Sequence, residues 1–379
     1  MSRPIRVTHV LEAAQGGAMR HLRELVSLAD RSSFEFSFVL SPLRDPEGVR
    51  RESERLRSEG FEVRLVPMRR SPSLSDLAAL FSLAAVLREL RPDVVHLHAA
   101  KAGAVGRPAA ALVGVPHVVY TPHLWSFAWE DRPLRRFLYR SVERALAPLT
   151  DAVVVLTAGQ AREALDARVV PASLMSVVPN AVSLPSAPSR LPSPPPFVLG
   201  AAGRLVPQKG LDVLLRALAS LRDSGLPVRL RIAGDGPLRG ELERLSASLA
   251  LGEAVEFCGH VEDMRAFFSS LHLFVLPSRW EGMPYVLLDA LAAGLPAAVS
   301  DIAGTRPLVL DGWNGRLFPR DDHRALASVL GELLASPAAL ARMGSNSRRM
   351  AERFPPDDFA RSHEQIYLSL AERRPVFHA

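Results

Sequence analysis

Leu276-Pro277-Ser278-Arg279-Trp280-Glu281-Gly282-Met283-Pro284-Tyr285-Val286 changes character twice within eleven residues. The apolar run Leu273–Leu276 that ends in it suits a short buried strand. The polar residues that follow make a turn. Pro284 suits the first turn of a helix, where its missing N–H costs nothing. Strand, turn and helix in that order are the building unit of a parallel sheet with crossovers. At such a helix start the N–H groups of Met283, Tyr285 and Val286 point outward, a site suited to a pyrophosphate. Glu281 precedes the helix and Asp289 lies two turns up it. Their eight-residue separation places both carboxylates on about the same side. Paired in this way they suit a ligand rich in hydroxyls. They also suit a helix cap and a solvated surface acid, and the local sequence leaves both readings open.

A second strand–helix turn lies upstream. Ala201-Ala202-Gly203-Arg204-Leu205-Val206-Pro207-Gln208-Lys209-Gly210 follows the apolar run Phe197–Ala202 and opens a helix over Leu211–Leu221. Arg204 and Lys209, five residues apart, can reach one phosphate cluster, the first as a planar fork and the second as a point charge. Cations at a helix N-terminus oppose the macrodipole unless an anion sits between them. The alternative is a pair of solvated charges. Gly234-Asp235-Gly236-Pro237 is a third tight turn, whose glycines permit close approach to a nucleotide.

The alternation extends through the whole chain. Strand-like runs at Ile5–Leu11, Phe34–Leu40, Phe61–Val66, Val94–Leu97, His117–Thr121 and Ala152–Leu156 are separated by helical periodicities. One passes through Met19, Leu22 and Leu25, another through Leu77, Phe81, Ala84 and Leu87. Pro185–Pro196 holds six prolines in twelve residues and reads as a stiff linker. The alternation then restarts at Phe197–Ala202, Val228–Ala233, Ala254–Phe257, Leu273–Leu276 and Ala297–Ser300. From about Arg324 the pattern is helical throughout. The expected class is α/β: two doubly wound, Rossmann-like domains facing across a cleft, with ligands outside the carboxyl ends of the strands. The expected boundaries are 1–184 for an N-terminal acceptor-side domain, 185–196 for the linker and 197–355 for a C-terminal nucleotide-binding domain. A helix over 356–379 is expected to pack back toward the first domain.

Composition narrows the class. The 379 residues are 48% hydrophobic and 23% charged, ordinary values for a globular protein. Cys258 is the one cysteine, so neither an intrachain disulfide nor a thiolate metal site can form. Met1–Val10 reads as a buried strand rather than a signal segment. The +6 formal charge favours anionic partners, but no basic tail, zinc-finger spacing or RNA-recognition signature accompanies it, so nucleic acid is not an expected partner. No His, Asp and Glu cluster shows metal-ligand spacing along the chain, and no metal is expected.

Taken together, Gly-Arg-Leu-Val-Pro-Gln-Lys-Gly at 203–210, Pro-Ser-Arg-Trp-Glu-Gly-Met-Pro at 277–284 and Asp-Ala-Leu-Ala-Ala-Gly-Leu-Pro at 289–296 resemble the GT-B retaining glycosyltransferases of family 4, the "glycosyltransferase group 1" enzymes. Gly16-Gly17, the segment His98–Gly103, Tyr120-Thr121-Pro122-His123 and Val178-Pro179-Asn180-Ala181-Val182 fall where that family places its glycine loop, acceptor wall, donor-sugar histidine and hinge. The resemblance implies that Arg204 and Lys209 bind the donor diphosphate and stabilise it as it leaves. It implies that Glu281 and His123 meet the transferred sugar, and that Gly203 and the backbone at Gly282, Met283, Pro284, Tyr285 and Val286 cradle phosphate. Gly16 and Gly17 would hold a phosphate of donor or acceptor. Position 289, usually glutamate and held to bind ribose, is Asp here, and Pro307 stands where relatives often carry Glu.

The implied function is transfer of a sugar from a nucleotide-sugar donor to a sugar or lipid-linked acceptor, with retention, in cell-surface polysaccharide or lipid-linked glycan synthesis. The nucleotide-sugar is a substrate, so no cofactor is expected. A front-face route is favoured over double displacement, because no carboxylate is obviously placed as a covalent nucleophile. Two alternatives stand: a non-catalytic nucleotide-sugar-binding or membrane-scaffold subunit, and another GT-B enzyme such as a sugar-phosphate synthase or epimerase.

The expected location is cytoplasmic, with peripheral contact at the inner face of the cell membrane. Pro133–Leu149 reads as an amphipathic helix, with Arg132, Arg136, Arg140 and Arg144 on one side and Leu134, Phe137, Leu138, Val142 and Leu146 on the other. Trp125, Phe127 and Trp129 precede it. Arginines beside aromatics suit an anionic membrane surface. A core-packed crossover helix with a solvated basic face suits the same pattern. His96 and His98, two residues apart, read as one core histidine and one surface histidine.

Overall fold

The computed structural model describes residues 3–12, 16–69, 71–186 and 195–372. Residues 187–194 of the expected linker lie outside this set. The chain divides into two compact units, Met1–Asn180 with Pro356–Ala379, and Ala181–Pro355. The division after Asn180 comes earlier than the proline run suggests, because Val182 N–H donates to Phe354 O (3.0 Å) and Arg348 Nη2 donates to Pro185 O (2.8 Å), both within the second unit.

The first unit is built on seven strands: β1 (Ile5–Leu11), β2 (Phe34–Leu40), β3 (Glu62–Leu65), β4 (Val94–His98), β5 (His117–Thr121), β6 (Ala152–Val155) and β7 (Met175–Val177). All pair in parallel, in the order β3-β2-β1-β4-β5-β6-β7. The second unit holds β8 (Phe197–Ala202), β9 (Val228–Ala233), β10 (Val255–Gly259), β11 (Leu273–Leu276), β12 (Ala297–Ser300) and β13 (Gly315–Phe318). These are again parallel, in the order β10-β9-β8-β11-β12-β13. In each sheet the strand order reverses once, between β1 and β4 and between β8 and β11. Such switch points leave a crevice at the carboxyl ends, where ligands bind in doubly wound folds. The two sheets are the pair of Rossmann-like domains of the GT-B class.

The central strands run apolar on both faces because helices cover both. In the second unit Leu199, Leu230, Ile232 and Val275 are buried with Leu214, Leu218 and Leu330 of the helices Leu211–Asp223 and His323–Leu334. Each such side chain contributes about 1.5–3 kcal/mol on burial. In the first unit Val95, Leu97 and Tyr120 pack under the helices Ser75–Leu90 and Ala99–Val113.

The C-terminal region is helical as expected, in three pieces: His323–Leu334, Pro337–Ala351 and Pro356–Ala371. Ser336 caps the second by accepting from Ala339 N, and Pro337 and Pro356 cannot continue a preceding helix. Helix Pro356–Ala371 lies in the first unit against helix Gly16–Leu28 and β1. Strands β7 and β13, absent from the sequence reading, are short edge strands of three and four residues with little apolar signal. The reading of helix Pro133–Leu146 as packed on the core is corrected. Leu134, Phe137, Leu138 and Val142 are exposed, Tyr139 packs half-buried on the core, and the one fully buried residue is Glu143. Among the described residues no single helix is long and apolar enough to cross a membrane.

Candidate active site

In the second unit the two loops at the switch point are fastened together. Arg279 makes most of the joint. Its guanidinium donates to Pro207 O (2.6 Å), Asp212 Oδ2 (2.8 Å) and Asp321 Oδ1 (2.6 Å), and its amide donates to Gln208 O (2.8 Å). Gly210, at φ +60, lies so close to the other loop that a Cβ would stand 2.1 Å from Pro277 O, so only glycine fits there.

This joint delivers Lys209 to Glu281. Lys209 Nζ donates to Glu281 Oε1 at 2.6 Å, and Ser278 Oγ donates to the same oxygen at 2.8 Å. Gln208 Nε2 reaches Glu281 Oε2 at 3.3 Å and Trp280 O at 2.9 Å. Glu281 is 9% exposed, so its charge is held by three donors away from bulk water. Three donors on one buried carboxylate fix its orientation. It is not a helix cap: the N-cap of helix Tyr285–Ala292 is Pro284, in extended conformation, with no side-chain cap. Nor does helical spacing relate Glu281 to Asp289. The helix begins at Tyr285, so only the half-buried Asp289 lies on it.

Met283, Pro284 and Tyr285 are buried where the chain turns into that helix, and Gly282 and Val286 are half-buried. Arg204 is exposed at the end of β8 and forms no ion pair among the described residues. Its loop is stapled to the turn Gly234–Gly236 by Gly203 N–H to Ala233 O and Leu205 N–H to Asp235 O, both 2.9 Å. A Cβ on Gly234, at φ +127, would meet Gly203 O at 2.1 Å. The glycine therefore serves contact with the neighbouring loop, where the sequence reading had a nucleotide.

In the first unit Gly16 and Gly17 open helix Gly16–Leu28, with Gly16 at φ +75. His123 follows β5 in the left-handed region (φ +55), a conformation a non-glycine residue holds only when its surroundings enforce it. Gln160 enforces it from the backbone side: its Nε2 donates to His123 O (2.8 Å) while its Oε1 accepts from Leu156 N–H (2.8 Å). On the side-chain side, His123 Nε2 lies 3.2 Å from His98 Nδ1, and His98 Nε2 lies 3.0 Å from His9 Nδ1. His21 joins His123 edge-on with ring centroids 4.9 Å apart and stands 5.1 Å from His363.

Six of the 11 histidines thus share one network: His9, His21, His96, His98, His123 and His363. Both His96 and His98 are fully buried. The expected surface histidine does not exist, because residues two apart on a strand share a face, and helix Pro356–Ala371 covers it. His96 bonds Tyr367 OH (2.6 Å) and Thr121 Oγ1 (2.7 Å). Burial, and the neighbouring His363, hold His9 at a pKa of about 3; burial alone lowers His363 to about 4. Burial lowers His21, His96 and His98 as well.

Although no metal spacing is visible in sequence, the fold brings ring nitrogens of His9, His96 and His98 within 4.8 Å of one another. Both nitrogens of His96 and both of His98 already sit at hydrogen-bond distance from a partner. The donor set fits a neutral imidazole network better than a ligand set, which needs lone pairs turned inward.

The structure thus joins Lys209 and Glu281 directly and leaves Arg204 and Asp289 as neighbours in sequence to that pair. Sequence reasoning passed over Ser278, Gln208 and Arg279 as positioning residues, although all three stand inside the quoted motifs. Gln160 carried no signal at all.

Residues 196–336 match the family described as Glycosyl transferases group 1, and residues 16–181 match the Glycosyl transferase 4-like domain. The chain is 30% identical over 271 residues to the UDP-Gal:alpha-D-GlcNAc-diphosphoundecaprenol alpha-1,3-galactosyltransferase of Escherichia coli, covering 68% of this chain and 70% of that one. It is 31% identical over 302 residues to the D-inositol 3-phosphate glycosyltransferase of Streptomyces scabiei, covering 73% and 68%. Among solved structures, Anabaena Alr3699/HepE in complex with UDP-glucose superposes with a TM-score of 0.78 at 20% identity, over 96% of this chain and 100% of that one.

Proposed function

The chain belongs to the glycosyl transferases group 1, and from that membership we propose that it moves a sugar from a nucleoside diphosphate-sugar to a hydroxyl acceptor, with retention at the anomeric carbon. The observation that carries this reading is the pair Lys209–Glu281 at 2.6 Å. In a nucleotide-sugar the group rich in hydroxyls is bonded directly to a phosphate. A site that sets a cation for phosphate beside a carboxylate for hydroxyls matches that junction.

The reaction breaks the bond between the anomeric carbon and the phosphate oxygen. Negative charge then grows on the diphosphate, and fixed cations already in place lower the barrier without reorganising. Lys209, with three N–H donors, keeps Glu281 on one and offers another to phosphate. Arg204, exposed at the end of β8, offers its fork. Glu281 accepts from sugar hydroxyls. Three donors already draw on its charge, which makes it a weak covalent nucleophile. This favours a front-face route, in which the acceptor hydroxyl bonds to the anomeric carbon on the side the diphosphate leaves and gives its proton to the departing phosphate oxygen. His123, neutral and held by Gln160 and His98, orients the sugar. The two cations neutralise the leaving group, so the reaction needs no divalent ion.

The relative named for a diphosphoundecaprenol-linked acceptor supports a lipid-linked acceptor class. A thermal-shift screen of UDP-, GDP- and ADP-sugars identifies the donor, since a ligand at 100 times its Kd stabilises by about 2.7 kcal/mol. Proton NMR of the product, formed with and without a chelator, then reads the anomeric configuration and the metal requirement. An inverted product, or abolition by chelator with rescue by a divalent ion, overturns the corresponding part of the reading.

A further inference from the structure

Helix Pro133–Leu146 is turned inside out. Its ionic side faces the protein: Glu143 is buried and accepts from Arg107 Nη2 (2.8 Å) and Tyr120 OH (3.1 Å). Arg136 Nε donates to Glu130 O at 2.8 Å, and the Arg140 guanidinium lies 5.7 Å from the Phe127 ring centroid. Its apolar side faces out, with Leu134 79%, Phe137 64% and Leu138 52% exposed and Val142 beside them. At about 100° per residue these four fall in one stripe spanning roughly 140° of the helix. Arg144 borders the stripe on one side and Arg135 on the other.

The exposure continues across the same face of the sheet. Helices Ser75–Leu90, Ala99–Val113 and Pro133–Leu146 lie side by side in that order, as right-handed crossovers running in one direction require. The first of them, with its N-cap, presents Leu74, Leu77 and Phe81, all well exposed. Exposed apolar groups on two helices of one face mark it as an interaction site.

We propose that this face of the first unit docks on an anionic lipid bilayer, with helix Pro133–Leu146 lying in the headgroup plane, apolar side down. The charge on the outward side selects this occupant. The helix has one acid, Glu143, and it is buried in its ion pair. The charges bordering the stripe within the helix are Arg135 and Arg144, and Arg135 and the exposed N-cap residue Arg132 form no ion pair among the described residues. Asp131, just before the helix, is the nearest exposed acid in sequence. Apolar residues flanked by snorkelling arginines are the pattern of an interfacial helix. A second copy of the chain would set arginine against arginine across a two-fold axis, which disfavours self-association.

The test is co-sedimentation of the full chain with phosphatidylcholine vesicles and with vesicles holding 3 parts phosphatidylglycerol to 7 of phosphatidylcholine, about a third anionic lipid as on a charged leaflet. The wild type should bind the anionic vesicles at least about tenfold more tightly, and less so in high salt. Arg132→Ser with Arg135→Ser should weaken binding about 25-fold, or fivefold per arginine. Leu134→Ser with Phe137→Ser and Leu138→Ser should abolish it. These side chains face water, so the variants should melt no earlier than the wild type, which separates lost docking from lost folding. Equal binding to both vesicle types, or wild-type binding by the apolar variant, overturns the proposal. So does a wild type that ignores vesicles but forms a concentration-dependent dimer that the apolar variant loses. No donor or acceptor is needed in this assay, so its outcome is independent of the glycosyl-transfer reading.

Discussion

Lys209 Nζ lies 2.6 Å from Glu281 Oε1, although 72 residues separate them in the chain. The contact ties the two turns at the switch point of the second sheet and fixes the spacing between the cation proposed to meet phosphate and the carboxylate proposed to meet the sugar's hydroxyls. Glu281→Gln preserves an acceptor for Ser278 and Lys209, so the fold should persist, with a Tm within a few degrees of wild type. Turnover should fall about 100-fold or more, the loss of about 2.7 kcal/mol typical of one preorganised electrostatic partner, while a free nucleoside diphosphate still binds. Calorimetric titration beside kcat checks both halves. Lost nucleotide binding would move Glu281 from the sugar to the nucleotide.

Arg279 touches no expected ligand position, yet it holds Pro207, Asp212 and Asp321 together. Arg279→Ala should lower stability by about 1–2 kcal/mol, the scale of its charge-assisted bonds after allowance for partial exposure. It should raise the donor KM more than it lowers kcat, because Lys209 and Glu281 lose their common footing. Arg279→Lys should not rescue, since an ammonium cannot span three acceptors set for a planar fork. An alanine variant with unchanged Tm and KM would show the joint to be redundant.

Much of the second unit was legible in sequence because its chemistry is local. Strand, turn and helix follow one another within 15 residues at Phe197–Leu211 and 13 at Leu273–Tyr285, and Arg204, Lys209 and Glu281 stand in those turns. The bond between Lys209 and Glu281 was not legible, since it depends on the order β8-β11, which no local pattern encodes. The histidine network was hidden for the same reason. His9, His96 and His123 come from three strands or strand ends, and His363 from a helix 240 residues further on. Helix Pro133–Leu146 was legible as amphipathic, but periodicity gives the stripe and not its direction. The buried Arg107–Glu143 pair turns the stripe outward.

The histidines predict acid sensitivity. Above about pH 7.5 they are neutral in both states, and stability is insensitive to them. Below it, the unfolded chain takes up protons near the ordinary pKa of 6.5, while His9 and His363 stay neutral until about 3 and about 4. The unfolded state then binds more protons, so stability falls as pH falls. Two such groups cost about 3 kcal/mol per pH unit between about pH 5.5 and 4.5. By pH 4 the two together remove about 6 kcal/mol, a large part of a typical total of about 5–15 kcal/mol, so the protein should lose most of its stability margin between pH 6 and 4. Urea midpoints at pH 7, 5.5 and 4.5 measure the slope, and His363→Gln should flatten it. Midpoints that do not move between pH 7 and 4.5 would mean that the buried imidazoles are charged or open to water.

Asp289 is half-buried on helix Tyr285–Ala292, one turn beyond its start. That position suits the nucleotide's ribose rather than the sugar. A carboxylate accepting from ribose hydroxyls is worth about 1.5–3 kcal/mol, which is about 10- to 150-fold in affinity. The contact is the same in ground and transition states, so Asp289→Ala should raise the donor KM by that factor and largely spare kcat. Asp289→Glu adds one methylene. It should be tolerated if the helix stands off the ribose by the reach of a glutamate, and harmful if the helix sits closer to meet the shorter aspartate. Steady-state kinetics of both variants with the identified donor separate these cases. An alanine variant with an unchanged KM would show that ribose is held elsewhere and that Asp289 serves only the surface of its helix.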